Sequence, residues 1–248
     1  MGTLHVLEAV RRIKATRAVV NITTDKCYEN KEWHWGYREN DSLGGHDPYS
    51  NSKACAELVS ASYKLSFLQA AGVHLATARA GNVIGGGDWS EDRLVPDILL
   101  ASVNSTSPLI RSPDSIRPWQ HVLEPLCGYL VLAEKLAMYG DPFSQPWNFG
   151  PEDDDVKTVK WIVDYITAKM RAGEWLDVSS PVQPHEAKYL KLDISKAKSQ
   201  LGWRPRWNLP AALDKTMEWH QAWTSGLNMR EKSLEQIKIF STTPIIGN

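Results

Sequence analysis

No apolar run in this 248-residue chain approaches the roughly 18 residues that a membrane-spanning helix needs, and no signal-peptide pattern is read at its first residues. Cysteine is scarce. Cys27, Cys55 and Cys127 lie far apart, without a CxxC pair or any other metal-ligand spacing. An odd, scattered set offers no disulfide framework and fits a reducing, cytoplasmic compartment. The seven histidines are equally dispersed, which speaks against a metal centre. An excess of one charge is lacking too. Lys and Arg number 28 against 29 Asp and Glu, a formal net charge of −1, so no overall field recruits nucleic acid or an acidic membrane. Internal repeats and low-complexity segments are absent. A chain of this size still buries a substantial core, in one large domain or two lobes. Tryptophan is the one rare residue in good supply: there are eleven, several beside Gly or Pro, and most are read as packing residues.

What is present is an alternation of strand and helix signals. Leu4, Leu7, Val10 and Ile13 recur at helical spacing over residues 3–15, and residues 18–24 read as a buried strand. A long polar and aromatic stretch follows to Asp47, a length of loop that is usually functional inside a compact domain. Pro48 suits the first turn of a helix that runs to Gly72. "VHLATARAG" is a second strand, "NVIGGGDW" a turn-rich exit, and "PWNFG" a short third strand. "LVPDILLASV" and "LEPLCGYLVLAEKLAMYG" are helical, and further helices are expected at about 158–172, 193–201 and 209–225. Strand and helix in alternation argue for an α/β fold with a parallel sheet under helical cover.

The chemistry gathers where the first strand ends. "TTDK" places Thr24, Asp25 and Lys26 just past that strand, and open α/β sheets bind ligands at such carboxyl ends. Taken alone, the stretch is as well explained by polar capping of a strand. Tyr49 and Lys53 stand four apart, hence on one helix face, 25 positions beyond Thr24. An ammonium beside a phenol favours the phenolate and makes tyrosine a usable base. A YxxxK pair by itself is weak evidence, because a surface lysine gives the same pattern. Here both halves arrive at the carboxyl edge of one sheet.

In this order the motifs resemble the extended short-chain dehydrogenase/reductase family, in its nucleotide-sugar branch. "TTDK…YSNSK" is similar to that family's active-site pair, and "ARAGNVIGGGDW" to its Arg-x-x-Asn-x-x-Gly strand exit. "LVPDILLA", "SIRPWQHVLEPL", "WNFG" and "DISKAKSQLGWRPRWNLPAALDKTMEW" resemble later family segments, so the likeness covers residues 1 to about 225. "TDKCYEN", "GNVIGGGDW" and "RPWQHV" look most like the subgroup that dehydrates a CDP-linked hexose.

The resemblance implies an NAD-dependent nucleotide-sugar 4,6-dehydratase of deoxysugar or O-antigen-type biosynthesis. It implies that Tyr49 takes the proton of the sugar C4 hydroxyl while Lys53 holds the nicotinamide ribose, and that Thr24 hydrogen-bonds the C4 oxygen. Asp25, protonated, would help water leave C6. Lys26 stands where related dehydratases have Glu, the natural C5 base. Either its ammonium is depressed enough to accept a proton, or it only stabilises enolate charge. For the nucleotide diphosphate the resemblance points to Arg117, with Asn82 and Arg93 facing the nucleotide; a guanidinium matches phosphate oxygens with two donors. Arg111, His121 and Tyr189 match family segments with weaker roles, and His121 reads first as a packed histidine.

The family opens with a strand and a Gly-rich turn that seats the cofactor pyrophosphate. "GGGDW" follows a late strand and opens no helix, so it is not that turn. Matched to the family pattern, residue 1 falls about a third of the way into a full chain. The expected fold is therefore a partial Rossmann-like parallel sheet lacking its first strands, with a smaller, mostly helical substrate-binding lobe. Residues 1–84 and 118–150 are assigned to the NAD-binding part, 85–117 and 151–240 to the nucleotide-sugar lobe. The complete enzyme is expected to be a cytoplasmic homodimer that pairs through the helices at about 3–15 and 48–71, with no nucleic-acid or membrane partner. The 248 residues by themselves are expected to be partly folded or aggregation-prone, and catalytically silent. Two other readings stand beside this one: a different nucleotide-sugar epimerase or dehydratase, and a non-catalytic remnant.

Overall fold

The computed structural model describes residues 1–170, 173–179 and 189–245. In chain order its first elements are α1 (Gly2–Arg12), β1 (Ala18–Ile22), α2 (Pro48–Tyr63), β2 (His74–Ala80), β3 (Val83–Ile84) and α3 (Leu94–Val103). Then come β4 (Leu109–Ile110), β5 (Ile116–Arg117), β6 (Gln120–His121), α4 (Leu123–Tyr139) and β7 (Pro146–Phe149). The chain continues through β8 (Lys157–Thr158), α5 (Val159–Met170), β9 (Leu176–Asp177), α6 (Leu209–Thr224) and α7 (Met229–Thr242).

The chain divides into two compact units. The first comprises Met1–Gly81, Pro125–Gly150 and Lys191–Arg204. Its centre is a three-stranded parallel sheet in the order β1-β2-β7. Ala18 stands opposite His74, Ile22 opposite Ala78, and Ala80 opposite Phe149. Because the strands run the same way, the residues after Ile22, Ala80 and Phe149 share one edge. Parallel strands need a crossover, and α2 supplies the one between β1 and β2. Asp47 starts it, accepting from the Ser50 backbone N–H at 3.0 Å, with Pro48 in the first turn. Past Tyr63 the helix widens into a π-type turn over Lys64–Leu68, and the chain leaves it at Gly72, whose φ is +70°. Leu7, Leu68, Val73 and Leu75 form an apolar cluster at the other end of this crossover.

The second unit comprises Asn82–Glu124, Pro151–Leu190 and the chain from Pro205 onward. Its core is built from α3, α5 and α6, with Ile98, Ile162, Ile166, Ala212 and Leu213 sealed from solvent. Three two-stranded pairings edge it: β3 with β6, β4 with β9, and β5 with β8. Gly86 lies so close to the ring of Trp219 that a Cβ there would come within 2.1 Å of it, so only glycine fits. Trp89 then packs on Trp223, their ring centroids 4.3 Å apart.

The expected unit boundaries shift in three places, each for a local reason. Residues 82–84 and 118–124 go with the second unit, because Val83 pairs with Gln120 and the Glu124 carboxylate binds the backbone of Arg206 and Trp207. Residues 191–204 go with the first unit. Tyr37 exchanges backbone hydrogen bonds with Lys191 and Asp193, and Trp203 meets Phe149 edge to face. Two element expectations also change. The strand expected over 18–24 ends at Ile22 and is half-buried, since Thr24 already opens a short 3₁₀ turn, Asp25–Cys27. Helix α7 was not expected at all. The helix expected over 158–172 reaches Met170, and its last two residues lie outside the described residues.

Candidate active site

Thr24 caps the 3₁₀ turn. Its hydroxyl oxygen accepts weakly from the Lys26 N–H at 3.4 Å and donates to the Asp25 carboxylate at 3.0 Å. Thr24 and Asp25 are buried, while Lys26 is exposed. The turn is continuous with the sheet through Thr23, whose N–H donates to the Ala78 carbonyl at 2.8 Å. The sequence therefore places an alcohol, an acid and an ammonium at the carboxyl edge within three residues.

The first turns of α2 face the same edge. Tyr49 is half exposed, and its ring is flanked by two ammonium groups. Lys53 Nζ and Lys26 Nζ each stand 5.9 Å from the ring centroid. The capping carboxylate of Asp47 is held below the usual range by hydrogen bonds from the Ser50 hydroxyl and backbone, with Lys26 adding a smaller pull. All five residues assigned to catalysis from the sequence, Thr24, Asp25, Lys26, Tyr49 and Lys53, thus lie in the first unit at the carboxyl edge of its sheet.

Behind them lies a buried polar network that motif reading passed over. Glu57, on the same face of α2 as Tyr49 and Lys53, accepts from Thr23, Thr77 and Arg79. Arg79 also donates to the Tyr28 hydroxyl at 2.8 Å, which in turn donates to Asn148 Oδ1 at 2.7 Å. Burial pushes the Tyr28 phenol up against the opposing pull of Arg79. Two signals in the sequence mark this network. Glu57 continues the Tyr49, Lys53 spacing by one more step of four, and Arg79 is the one Arg, Lys, Asp or Glu in the strand 74–80.

The residues assigned to the substrate lie in the second unit. Asn82 precedes β3, and its carbonyl accepts from Gln120 N–H at 3.0 Å. Arg93 is exposed at the start of α3. Arg117, in β5, is buried, with Nη1 donating to the Ile116 carbonyl at 2.9 Å. Arg111 forms an exposed ion pair with Asp92. His121 is a packed histidine: it is sealed, its edge meets the Trp207 ring at 4.8 Å, and its Nδ1 accepts from Leu123 N–H. Burial, with a lesser push from Lys215, lowers it to about 4 and leaves it neutral. Tyr189 makes a backbone bridge to Ile116. Among the described residues no group of His, Cys, Asp and Glu is arranged to hold a metal, and no helix is long and apolar enough to cross a membrane.

No protein-family model matches the chain. It is 56% identical over 235 residues to a CDP-glucose 4,6-dehydratase of Salmonella typhimurium, an alignment that covers 92% of this chain and 65% of that protein. It is 27% identical over 237 residues to a dTDP-glucose 4,6-dehydratase of Streptomyces antibioticus, covering 93% and 66%. The chain thus spans just under two thirds of the length of these curated relatives. Among solved structures, the Streptomyces venezuelae dTDP-glucose 4,6-dehydratase, crystallised with NAD, superposes with a TM-score of 0.78 at 20% identity over 92% of this chain and 66% of that one. A UDP-glucose 4-epimerase from Thermotoga maritima gives 0.77 at 20% identity over 90% and 69%. These superpositions carry the fold; the Salmonella sequence carries the kinship. Over nine tenths of its length the sequence is thus similar to a CDP-glucose 4,6-dehydratase, and its sheet has the fold seen in solved nucleotide-sugar dehydratases and epimerases.

Proposed function

We propose that the protein bearing this sequence converts CDP-glucose to CDP-4-keto-6-deoxyglucose, in the cytoplasm, as a step of deoxysugar synthesis. The observation that carries the reading is Tyr49, half exposed at the sheet edge with the ammonium groups of Lys26 and Lys53 each 5.9 Å from its ring centroid. It is supported by the 56% identity to a CDP-glucose 4,6-dehydratase. Bound NAD⁺ would supply the oxidant for C4 and afterwards the reductant for C6.

Tyr49 and Lys53 suit the ribose end of that cofactor, since a phenol and an ammonium reachable from solvent give the donors that a diol needs. A pyrophosphate needs a turn of free backbone N–H groups. Gly85, Gly86 and Gly87 open no helix, the next one starting at Leu94.

Within this reading each side chain has a proton or a charge to manage. Tyr49 takes the C4 hydroxyl proton as that carbon is oxidised, and Lys53 steadies the phenolate. Thr24 holds the C4 oxygen. The ketone acidifies the C5 hydrogen, and Asp25 gives its proton to the departing C6 hydroxyl. The C5 proton passes either to Lys26 as a neutral amine or to another base, and in the second case Lys26, exposed and over the Tyr49 ring, stabilises the developing negative charge. Arg117, Arg93 and Asn82 bind the nucleotide and its diphosphate.

The complete enzyme pairs as a homodimer through α1 and α2. Val6 and Leu58 on these helices, and Leu65 just beyond, expose apolar side chains to solvent.

The test is Tyr49→Phe in the complete protein. Turnover of CDP-glucose is expected to fall by about 10²–10⁴-fold, the usual worth of a general base, with NAD⁺ still bound. A near-normal rate overturns the assignment.

A further inference from the structure

We propose that Glu57 is a positioning residue for this reaction: it sets the register of the helix bearing Tyr49 and Lys53 against the turn bearing Thr24, Asp25 and Lys26. The inference rests on the proposed dehydratase reading for its consequence, but its geometry stands apart from it.

The Glu57 carboxylate is 4% exposed and receives three donors, Thr77 and Arg79 from β2 and Thr23 from just past the end of β1. Thr23 Oγ1 reaches Oε1 at 2.5 Å, while Thr77 Oγ1 and Arg79 Nη2 reach Oε2 at 2.6 and 2.8 Å. One helical turn further on, Ser60 Oγ accepts from Asn21 Nδ2 at 2.8 Å. Asn21 and Thr23 share one face of the strand, and Ser60 and Glu57 share one face of the helix. The two rungs run in opposite order, so α2 lies antiparallel along β1. The next rung brings Lys53 and Tyr49 to Thr24 and Lys26, which is where Lys26 meets the Tyr49 ring.

The same carboxylate clamps the catalytic turn at both ends. Thr23, immediately before it, bonds Glu57 directly. Tyr28, immediately after it, is held by Arg79, whose other terminal nitrogen bonds Glu57. Asn148 then ties Tyr28 to β7 and to the carbonyls of Tyr37 and Asp193. A buried ion pair is a poor stabiliser, because well-packed apolar side chains serve as well or better. What the Glu57–Arg79 pair provides that an apolar pair cannot is direction: each of its hydrogen bonds fixes one named residue.

The test compares Thr23→Val, Thr23→Ser, Glu57→Gln and Leu7→Ala in the complete protein. Leu7, in the apolar cluster at the other end of the crossover, serves as the stability control. Glu57→Gln is expected to lower kcat by about 100-fold, the cost of a small misplacement, with KM changed by no more than about twofold. Thr23→Val is expected to lower kcat by about tenfold, and Thr23→Ser to restore it. Leu7→Ala is expected to lower the melting temperature and leave kcat unchanged. If Glu57→Gln does not fold, the two Thr23 variants decide. Unchanged kcat in Thr23→Val, or a kcat loss in Leu7→Ala equal to it, overturns the proposal.

Fluorotyrosine at position 49 gives a readout that needs no turnover. One fluorine resonance is expected in the parent and in Leu7→Ala, with a displaced or split resonance in Thr23→Val and Glu57→Gln. If the parent dehydrates no CDP-glucose, the dehydratase reading fails and this resonance alone decides: displacement upholds the positioning role, an unchanged line refutes it.

Discussion

Two ammonium groups stand at one distance from the Tyr49 ring, and different local structures bring them there. Lys53 comes by helical spacing and Lys26 by a 3₁₀ turn. Spacing along a helix is visible in sequence, so the Tyr49–Lys53 pair was legible. That Lys26 joins it depends on a turn whose direction only the folded chain shows. Neighbouring Cys27 illustrates how sharply environment changes within one residue. It is fully buried, and burial, only partly opposed by Arg79, pushes its thiol up to about 12. Cys55, on the outer face of α2, is exposed. A thiol reagent at about pH 8 attacks the thiolate, whose ordinary pKa is near ~8.5. Cys27 is therefore expected to react only after unfolding. Labelling of Cys27 in the native state would contradict the buried placement of the turn.

At the scale of elements, the short span from β6 into α4 carries two buried titratable groups with opposite pH dependence. Glu124 accepts from Trp207 N–H at 2.7 Å and from Arg206 N–H at 3.0 Å, yet burial outweighs those bonds and raises it from 4.5 to about 7. Folded chain then holds this proton more tightly than unfolded chain. Its contribution to stability is full below 4.5 and is lost as pH rises through about 7. His121, lowered from 6.5 to about 4, behaves in reverse: its contribution is full above 6.5 and is lost as pH falls through about 4. Each is worth on the order of 3 kcal/mol, and over the same window they nearly cancel. Relative to the parent, Glu124→Gln is expected to lose melting temperature on going from about pH 7.5 to about pH 4.5, and His121→Asn to gain. Thermal melts of both variants across that window check this, and parallel curves would refute it. Pro48 and Gly72 bracketed the helix of α2, and periodicity located α1 because its apolar residues repeat. It missed α7, whose signal is polar: Asn228 caps the Arg230 and Glu231 N–H groups, the start pattern of a helix with little apolar stripe. The two-residue strands were illegible, since too few residues carry their alternation.

At the scale of the molecule, the chain passes between its two units repeatedly, and motif order alone could not place each crossing. Residues 191–204 return to the first unit through backbone bonds to Tyr37, a long-range pairing with no signature in sequence. The likeness to nucleotide-sugar dehydratases, by contrast, was legible, because several ordered motifs each carry a chemical requirement. Pairing of two copies through α1 and α2 predicts a dimeric mass in solution at micromolar concentration. Val6→Asp with Leu58→Asp should reduce it to a monomer, and a monomeric parent would refute the interface.

The most direct test of the account is a substrate panel. The complete protein is incubated with NAD⁺ and, separately, with CDP-, dTDP-, UDP- and GDP-glucose, and 4-keto-6-deoxy product is measured. The account predicts product from CDP-glucose at a rate well above the other three. Product from dTDP-glucose and none from CDP-glucose would contradict it.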